Sequence, residues 1–268
     1  MPRRPSPPKI LQPKPRKPGA PEKNGLVDPV EGGITAVDWI DERTSLSPAL
    51  RWIMFRKVPR GTNWAYTLGS ATLFAFLSQA VTGVFLAMYY NPNSTGGAYE
   101  SIRNLNDNVW AGQLVHAMHK WGASVMIILI FLHMARVFFY GAYKYPRELT
   151  WVIGVVLLIL TLAMGFTGYL LPFDQRSYWA TIVGVNINGT GPFIGPFLSD
   201  FLRGGNEFGA TTLSRFYSIH MLLIPGAIAA LIGAHLYLVT KLGTTAPPWI
   251  KPHEDDPAIE VERPRVEV

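Results

Sequence analysis

The sequence predicts an all-α membrane protein: a bundle of four transmembrane helices preceded by an interfacial helix. Three observations lead there. First, the runs Asn63–Tyr90, Leu149–Phe173 and Phe216–Thr240 carry no charge, and each exceeds the ~20 residues that a spanning helix needs. A fourth apolar stretch, Val115–Phe138, has charges only near its ends, at Lys120 and Arg136. Second, 49% of the residues are hydrophobic and 16% charged, a low charge for a soluble protein. Third, two of these runs carry histidines at matching separations: His119 and His133 in the second span, His220 and His235 in the fourth.

Taken in order, residues 1–33 are rich in Pro, Lys and Arg without an apolar core run. They predict a disordered basic tail rather than a signal peptide or folded domain. The alternative is a tail lying on anionic lipid headgroups. This tail accounts for much of the net charge of +6, so no nucleic-acid partner is inferred. Ile34–Pro59 alternates Trp39, Ile40, Leu46, Leu50, Ile53, Met54 and Phe55 with charges and predicts an interfacial helix. A transmembrane domain over 34–245 follows, with spans at about 63–90, 112–140, 149–171 and 213–241. A polar tail occupies 246–268, where His253 is solvated. The cluster Arg51, Arg56, Lys57, Arg60 precedes the first span. Arg136, Lys144 and Arg147 follow the second, whereas the loop Asn91–Trp110 holds Arg103 as its one basic residue. The positive-inside rule then puts both termini in the cytoplasm.

The histidine spacing is the functional signal. A helix turns about 100° and rises about 1.5 Å per residue. The fourteen residues from His119 to His133 fall about 40° short of four turns and rise roughly 21 Å. The fifteen from His220 to His235 run about 60° past four turns and rise roughly 22 Å. Each helix therefore shows two imidazoles on nearly one face, one towards each side of the bilayer. If the two helices are antiparallel, His119 meets His220 at one level and His133 meets His235 at the other. Two stacked bis-imidazole sites are the ligation a low-spin haem needs. A single intramembrane histidine is readily explained as a core residue bonded to a neighbouring helix. Two matched pairs, in a solvent where ionisable side chains are costly, point to haem. With no cysteine in the chain there is no disulfide, thiolate metal site or thioether-linked haem.

Glycines echo this spacing. Gly69 and Gly83 in the first span are fourteen apart, as are Gly154 and Gly168 in the third. Residues without Cβ would let a flat macrocycle pass close to the backbone, though glycine is also a common packing residue in membrane helices. The long segment from Leu171 to Leu213 contains LPFDQRSYWATIVGVNI and GPFIGPFLSDFLRGG. It predicts short helices across the outer surface, either a lid on the bundle or the wall of a ligand pocket.

The stretches Tyr66–Gly83, His119–Ser124 (HKWGAS), Tyr145–Val155 (YPRELTWVIGV), Gly168–Ala180 (GYLLPFDQRSYWA) and Leu213–His220 (LSRFYSIH) resemble the N-terminal half of cytochrome b. The resemblance is strongest to cytochrome b6, whose last helix also spaces its histidines by fifteen, and covers roughly residues 45–245. It implies two haem b groups, the outer held by His119 and His220 and the inner by His133 and His235. It implies quinol oxidation at an outer site, with one electron passing to a Rieske iron–sulfur protein and on to cytochrome c. The other crosses to reduce quinone inside, and proton translocation is coupled to this. By resemblance Tyr178, Trp179, Ala180, Val183 and Gly184 line part of the outer quinol site. Arg136 and Arg215 pair with haem propionates or, alternatively, snorkel at their helix ends. The resemblance further implies a bacterial plasma-membrane protein in a homodimeric complex.

Three departures stand out. The family's remaining spans and its PEWY motif are missing, so a three-helix C-terminal partner subunit is expected to supply them. His116 stands where an arginine is usual near the outer haem and reads as a polar neighbour or propionate contact. Thr67 stands where cytochrome b6 has the cysteine that tethers an extra haem, so no covalent haem c is expected on this chain. The rival reading is a dihaem membrane anchor linking a soluble dehydrogenase to the quinone pool. The outer LPFDQRSYWA segment and the glycine pairs favour the quinol:cytochrome c reductase.

Overall fold

A computed structural model describes residues 38–45, 47 and 58–250. The chain divides into two units, Met1–Arg56 and Lys57–Val268. In the first, residues 38–44 are helical, and the Arg43 guanidinium lies 4.1 Å above the exposed Trp39 ring. The expected basic tail, the remainder of the interfacial helix with Arg51, Arg56 and Lys57, and residues 251–268 with His253 lie outside the described residues.

The second unit is helical throughout its regular structure. A 3₁₀ turn, Trp64–Thr67, is capped by Asn63, whose side chain accepts from the Ala65 amide, and runs into α1 (Leu68–Ala87). The polar segment after it forms an amphipathic helix, α2 (Gly97–Asn108), with Ala98 and Leu105 buried seven residues apart on one face. Then come α3 (Gly112–Phe139) and α4 (Glu148–Tyr169). Two short helices follow, α5 (Gln175–Gly189), capped by Asp174, and α6 (Gly195–Arg203). The last span is α7 (Ala210–Ser218), a π-helical turn at Ile219–Leu223, and α8 (Ile224–Leu242). Four segments are long and apolar enough to cross a membrane: Trp64–Ala87, Gly112–Phe139, Glu148–Tyr169 and Ala210–Leu242. These match the expected spans to within three residues, and the helices α5 and α6 fall where short surface helices were expected.

The π turn has a sequence cause and a geometric effect. Pro225 sits at the start of α8 and has no N–H to give the preceding turn, so the helix re-registers just before it. The turn contains His220 and takes up about one extra residue. One residue is about 100° of turn, so the roughly 60° overshoot of the fifteen-residue spacing shifts towards the roughly 40° shortfall of the fourteen-residue pair.

Packing is pairwise. α1 lies along α3 and α8 along α4, with sparser contact between the two pairs. Large apolar side chains such as Phe74, Val81, Ile128, Val152 and Leu222 stay exposed, as expected where lipid or another chain replaces water. A small core of Ala75, Met126 and Ile130, backed by Leu129, Met134 and Leu158, sits between the two histidine levels of α3. A second core gathers α2, α5, α6 and α7 over one end of the bundle, through Ala98, Leu170, Val185, Leu202, Leu213 and Phe216.

Candidate functional site

Each of the four span histidines faces a glycine on the neighbouring helix. A Cβ placed on Gly83 would come within 3.2 Å of His119 Cε1, and one on Gly69 within 3.1 Å of His133 Cε1. On the other helix pair, the corresponding distances are 2.5 Å from Gly168 to His220 and 3.6 Å from Gly154 to His235. The missing Cβ therefore gives room to the imidazoles themselves. It also lays open the helix backbone: the His220 Nδ1–H donates to the Met164 carbonyl at 3.0 Å, four residues before the facing Gly168. The Gln79 carbonyl, four residues before Gly83, lies near the His119 ring without a hydrogen bond to it, and His119 Nδ1 is met by Thr82 instead. The Thr150 carbonyl, four residues before Gly154, likewise lies near His235 outside bonding geometry, and His235 Nδ1 is buried without a partner.

Threonines complete the holding of one pair. Thr82 Oγ1 donates to the Ser78 carbonyl at 2.7 Å and lies 2.8 Å from His119 Nδ1, which it accepts from. Thr167 Oγ1 donates to the Ala163 carbonyl at 2.9 Å and lies 3.3 Å from His220 Nδ1. A ring whose Nδ1 donates in this way leaves the Nε2 lone pair for a metal. The His119 and His220 ring centroids are 6.4 Å apart. An imidazole nitrogen binds a metal at about 2.0–2.1 Å and lies ~1.1 Å from its ring centre, so two rings across one metal stand about 6.3 Å apart. The observed separation fits that arrangement. Among the described residues no group of three or more His, Cys, Asp or Glu is placed to hold a metal ion. A pair alone suits a metal whose remaining ligands come from a planar group, as in haem.

The other expected site residues divide. Arg136, one turn beyond His133, has its guanidinium 3.6 Å from the Tyr66 ring centre and 5.1 Å from that of Tyr140. Its Nε and Nη2 are buried without a hydrogen-bond partner. Arg215 instead donates to the Phe201 carbonyl at the end of α6 and stacks 5.4 Å from the Phe201 ring. His116 Nδ1 lies 3.0 Å from Asn106 Oδ1, tying α3 to the surface helix α2. Tyr178, Trp179, Ala180, Val183 and Gly184 all lie on α5. Trp179 and Val183 are exposed, Trp179 donates to Gln175 Oε1 at 3.0 Å, and Tyr178 packs on Phe173 and Phe208. Gly184 packs against the Phe166 ring and borders an apolar cavity of about 560 Å³. Thr167, Phe166, Asn188, Leu202 and Ile219 line the same cavity, so it reaches the hydroxyl that holds His220. Sequence reasoning missed Thr82 and Thr167; a threonine in an apolar span gives no signal until its neighbour is known.

Fold and site together define a helical membrane protein with the His119 and His220 rings facing each other at one depth and His133 and His235 at another. The chain belongs to the cytochrome b family: a family model described as Cytochrome b/b6/petB matches residues 53–243. Among its relatives is the menaquinol:cytochrome c reductase cytochrome b subunit of Geobacillus thermodenitrificans, 42% identical over 78% of this chain and 97% of that one. Another is cytochrome b6 of Heliobacterium modesticaldum, 41% identical over 79% of this chain and all of that one. A chain of the solved structure "Hyperthermophilic respiratory Complex III" superposes with a TM-score of 0.74 at 32% identity. The match covers 82% of this chain and 58% of that longer chain.

Proposed function

We propose that this chain is the dihaem cytochrome b subunit of a quinol:cytochrome c oxidoreductase of the bc1/b6f type. It carries electrons across the membrane between an outer quinol-oxidising and an inner quinone-reducing site. The relatives of matching length are named as subunits of such enzymes or as cytochrome b6. The observation that carries the reading is the 6.4 Å between the His119 and His220 rings, the separation two imidazoles need across one iron. His119 and His220 hold the outer haem b iron, and His133 and His235 the inner one. Haem, once bound, supplies a one-electron carrier at each level.

The chain's own residues prepare these levels. Thr82 behind His119, and Thr167 with the Met164 carbonyl behind His220, hold the rings in the tautomer that presents Nε2. The orphaned donors of Arg136 fit a propionate of the inner haem, since a buried guanidinium wants an anionic partner. Arg215 and His116 have protein partners of their own, and either pairs with an outer propionate only by sharing them. The cavity beside Thr167, bordered by Gly184 on α5, is apolar enough for a quinol ring and opens next to the outer pair. Of the five residues assigned to the outer site, Gly184 lines this cavity, and Tyr178, Trp179, Ala180 and Val183 lie on the same helix α5, nearer its N-terminus. A quinol there gives up two protons to the outside and two electrons. One electron leaves for a Rieske iron–sulfur protein and cytochrome c, the other crosses to the inner quinone.

A three-helix C-terminal subunit completes the outer site. The assembly is a homodimer in a bacterial plasma membrane with both termini cytoplasmic, as the basic residues Arg60, Lys144 and Arg147 support. The test is to purify the complex and the chain alone. Both should give spectra of two bis-imidazole b haems, and only the complex should oxidise quinol with cytochrome c. Quinol:cytochrome c activity from the chain alone, or a chain without haem, would contradict this.

A further inference from the structure

The last span ends at Gly243, whose φ of 74° turns the chain back. Arg147 fastens this end, its Nη2 donating to the Leu242 carbonyl at 3.1 Å. Residues 243–250 then lie as a strap over the near ends of α1 and α3. The Tyr66 hydroxyl donates to the Thr245 carbonyl at 3.1 Å. Pro247 is fully buried. The Trp249 ring meets Tyr140 edge-on, with centroids 5.1 Å apart and planes at 83°. Ile250 covers Gly61, where any Cβ would strike its side chain.

The two tyrosines that the strap touches are the two that enclose Arg136. Tyr66 and Tyr140 are 5.8 Å apart, and the guanidinium sits against both. Aromatic faces hold a cation through the ring quadrupole while leaving its N–H donors unspent. Arg136 Nε and Nη2 are indeed buried without partners, and so is Thr245 Oγ1 on the strap itself. An aromatic cage with unspent donors fixes where a cation is without neutralising it.

We infer that the strap 243–250 is a positioning element for Arg136. By bracing Tyr66 and Tyr140 it holds the guanidinium one helical turn from His133, where its charge sets the redox potential of the inner centre. This rests on the reading of His133 and His235 as haem ligands. A positive charge held nearby favours the form carrying the extra electron, and low dielectric makes its exact distance count. Loosening the cage lets the cation move towards the membrane surface, as long side chains at helix ends do.

The experiment is a redox titration of both b-type centres in the purified complex. Arg136→Gln should lower the inner potential most. Trp249→Ala should lower it in the same sense by less. Tyr66→Phe keeps the ring but loses the bond to Thr245, and should lower it least. Trp249→Phe, which keeps an aromatic edge on Tyr140, should restore it. The outer potential should stay put in all four. If Trp249→Ala prevents assembly, Tyr66→Phe decides, since it changes one hydroxyl. The inference is overturned if Arg136→Gln moves the inner potential while Trp249→Ala and Tyr66→Phe leave it in place. An unaltered complex lacking two b-type centres would overturn the haem assignment itself, a different and distinguishable failure.

Discussion

The two histidine pairs are built differently. At the His119/His220 level each ring meets a threonine hydroxyl, Thr82 at 2.8 Å and Thr167 at 3.3 Å, and His220 also donates to the Met164 carbonyl. Clearance is small, with a Cβ on Gly168 only 2.5 Å from His220. At the His133/His235 level, His235 Nδ1 and the Arg136 donors are buried without partners, and Gly154 stands off His235 at 3.6 Å. The first level is held mostly by the protein's own polar groups, with Gln79 Nε2 left unpartnered; the second leaves the Arg136 donors, whose need is met by an anionic group that binds there. Unpaired buried donors cost about 1–3 kcal/mol each, so the second level gains more order from its ligand than the first.

The largest break in this comparison is His220→Ala. It removes one member of the braced pair and touches nothing at the other level. Haem per protein should fall by half, with the loss confined to one spectral component. Full retention of both components would sink the ligand assignment.

Glycine substitutions sharpen the contrast next. Gly168→Ala puts a methyl 2.5 Å from His220 Cε1, where carbon atoms prefer about 3.5–4.0 Å, so the ring must move by about 1 Å. Such overpacking costs about 1–3 kcal/mol, which is roughly five- to hundred-fold in retention of the group at that level. Gly154→Ala meets only ordinary contact at 3.6 Å, and alanine favours the helix by up to about 1 kcal/mol, so binding should be unchanged. Haem content after dilution into detergent separates the two; equal losses would show that the levels are equally tight.

These glycines mark where sequence reasoning stops. Their fourteen-residue spacing was visible, as were the spans and histidine pairs, because charge and imidazole are rare in lipid and stand out in one dimension. Which glycine faces which histidine depends on α1 packing along α3 and α8 along α4, and a helical period does not reveal neighbours. Beside each of these glycines lies an imidazole ring, a neighbour that the spacing alone did not name. The π turn at His220 had one faint sign, Pro225, and the regular-helix assumption overstated the angular drift. Helix α2 went unseen because its sequence is mostly polar, with Ala98, Tyr99, Ile102 and Leu105 its only apolar side chains. The strap went unseen because Pro247, Pro248 and Trp249 read as the start of a polar tail, yet Pro247 is buried and Trp249 packs on Tyr140.

A smaller effect is expected from Thr82→Val. Valine keeps the shape but removes the acceptor 2.8 Å from His119 Nδ1. One hydrogen bond contributes about 0.5–1.5 kcal/mol, so retention at this level should weaken about two- to ten-fold. The Gln79 carbonyl beside the same ring limits the loss. A loss as large as that of His220→Ala would mean that Thr82 does more than orient the ring.

The smallest expected effect is at Thr67, at the His133 end of α1. Its hydroxyl is exposed and donates to the Trp64 carbonyl at 2.6 Å, closing the 3₁₀ turn that opens the helix. The group has a local task and an acceptor already. A thioether to a haem vinyl needs a thiol, and the chain has no cysteine at this position or elsewhere. On the proposed assignment the four paired histidines are already in use, and His116 is bound to Asn106 at the other end of α3, so none is left for a further haem beside Thr67. Quinone at the inner site would then exchange electrons directly with the centre held by His133 and His235. Denaturing electrophoresis with a haem stain should leave the 29.8 kDa band unstained. Thr67→Val should leave both b-type spectra and the inner potential unchanged. A stained band would require a covalent attachment that this composition does not allow, and a shifted inner potential would make the Thr67 hydroxyl part of the site that Arg136 commands.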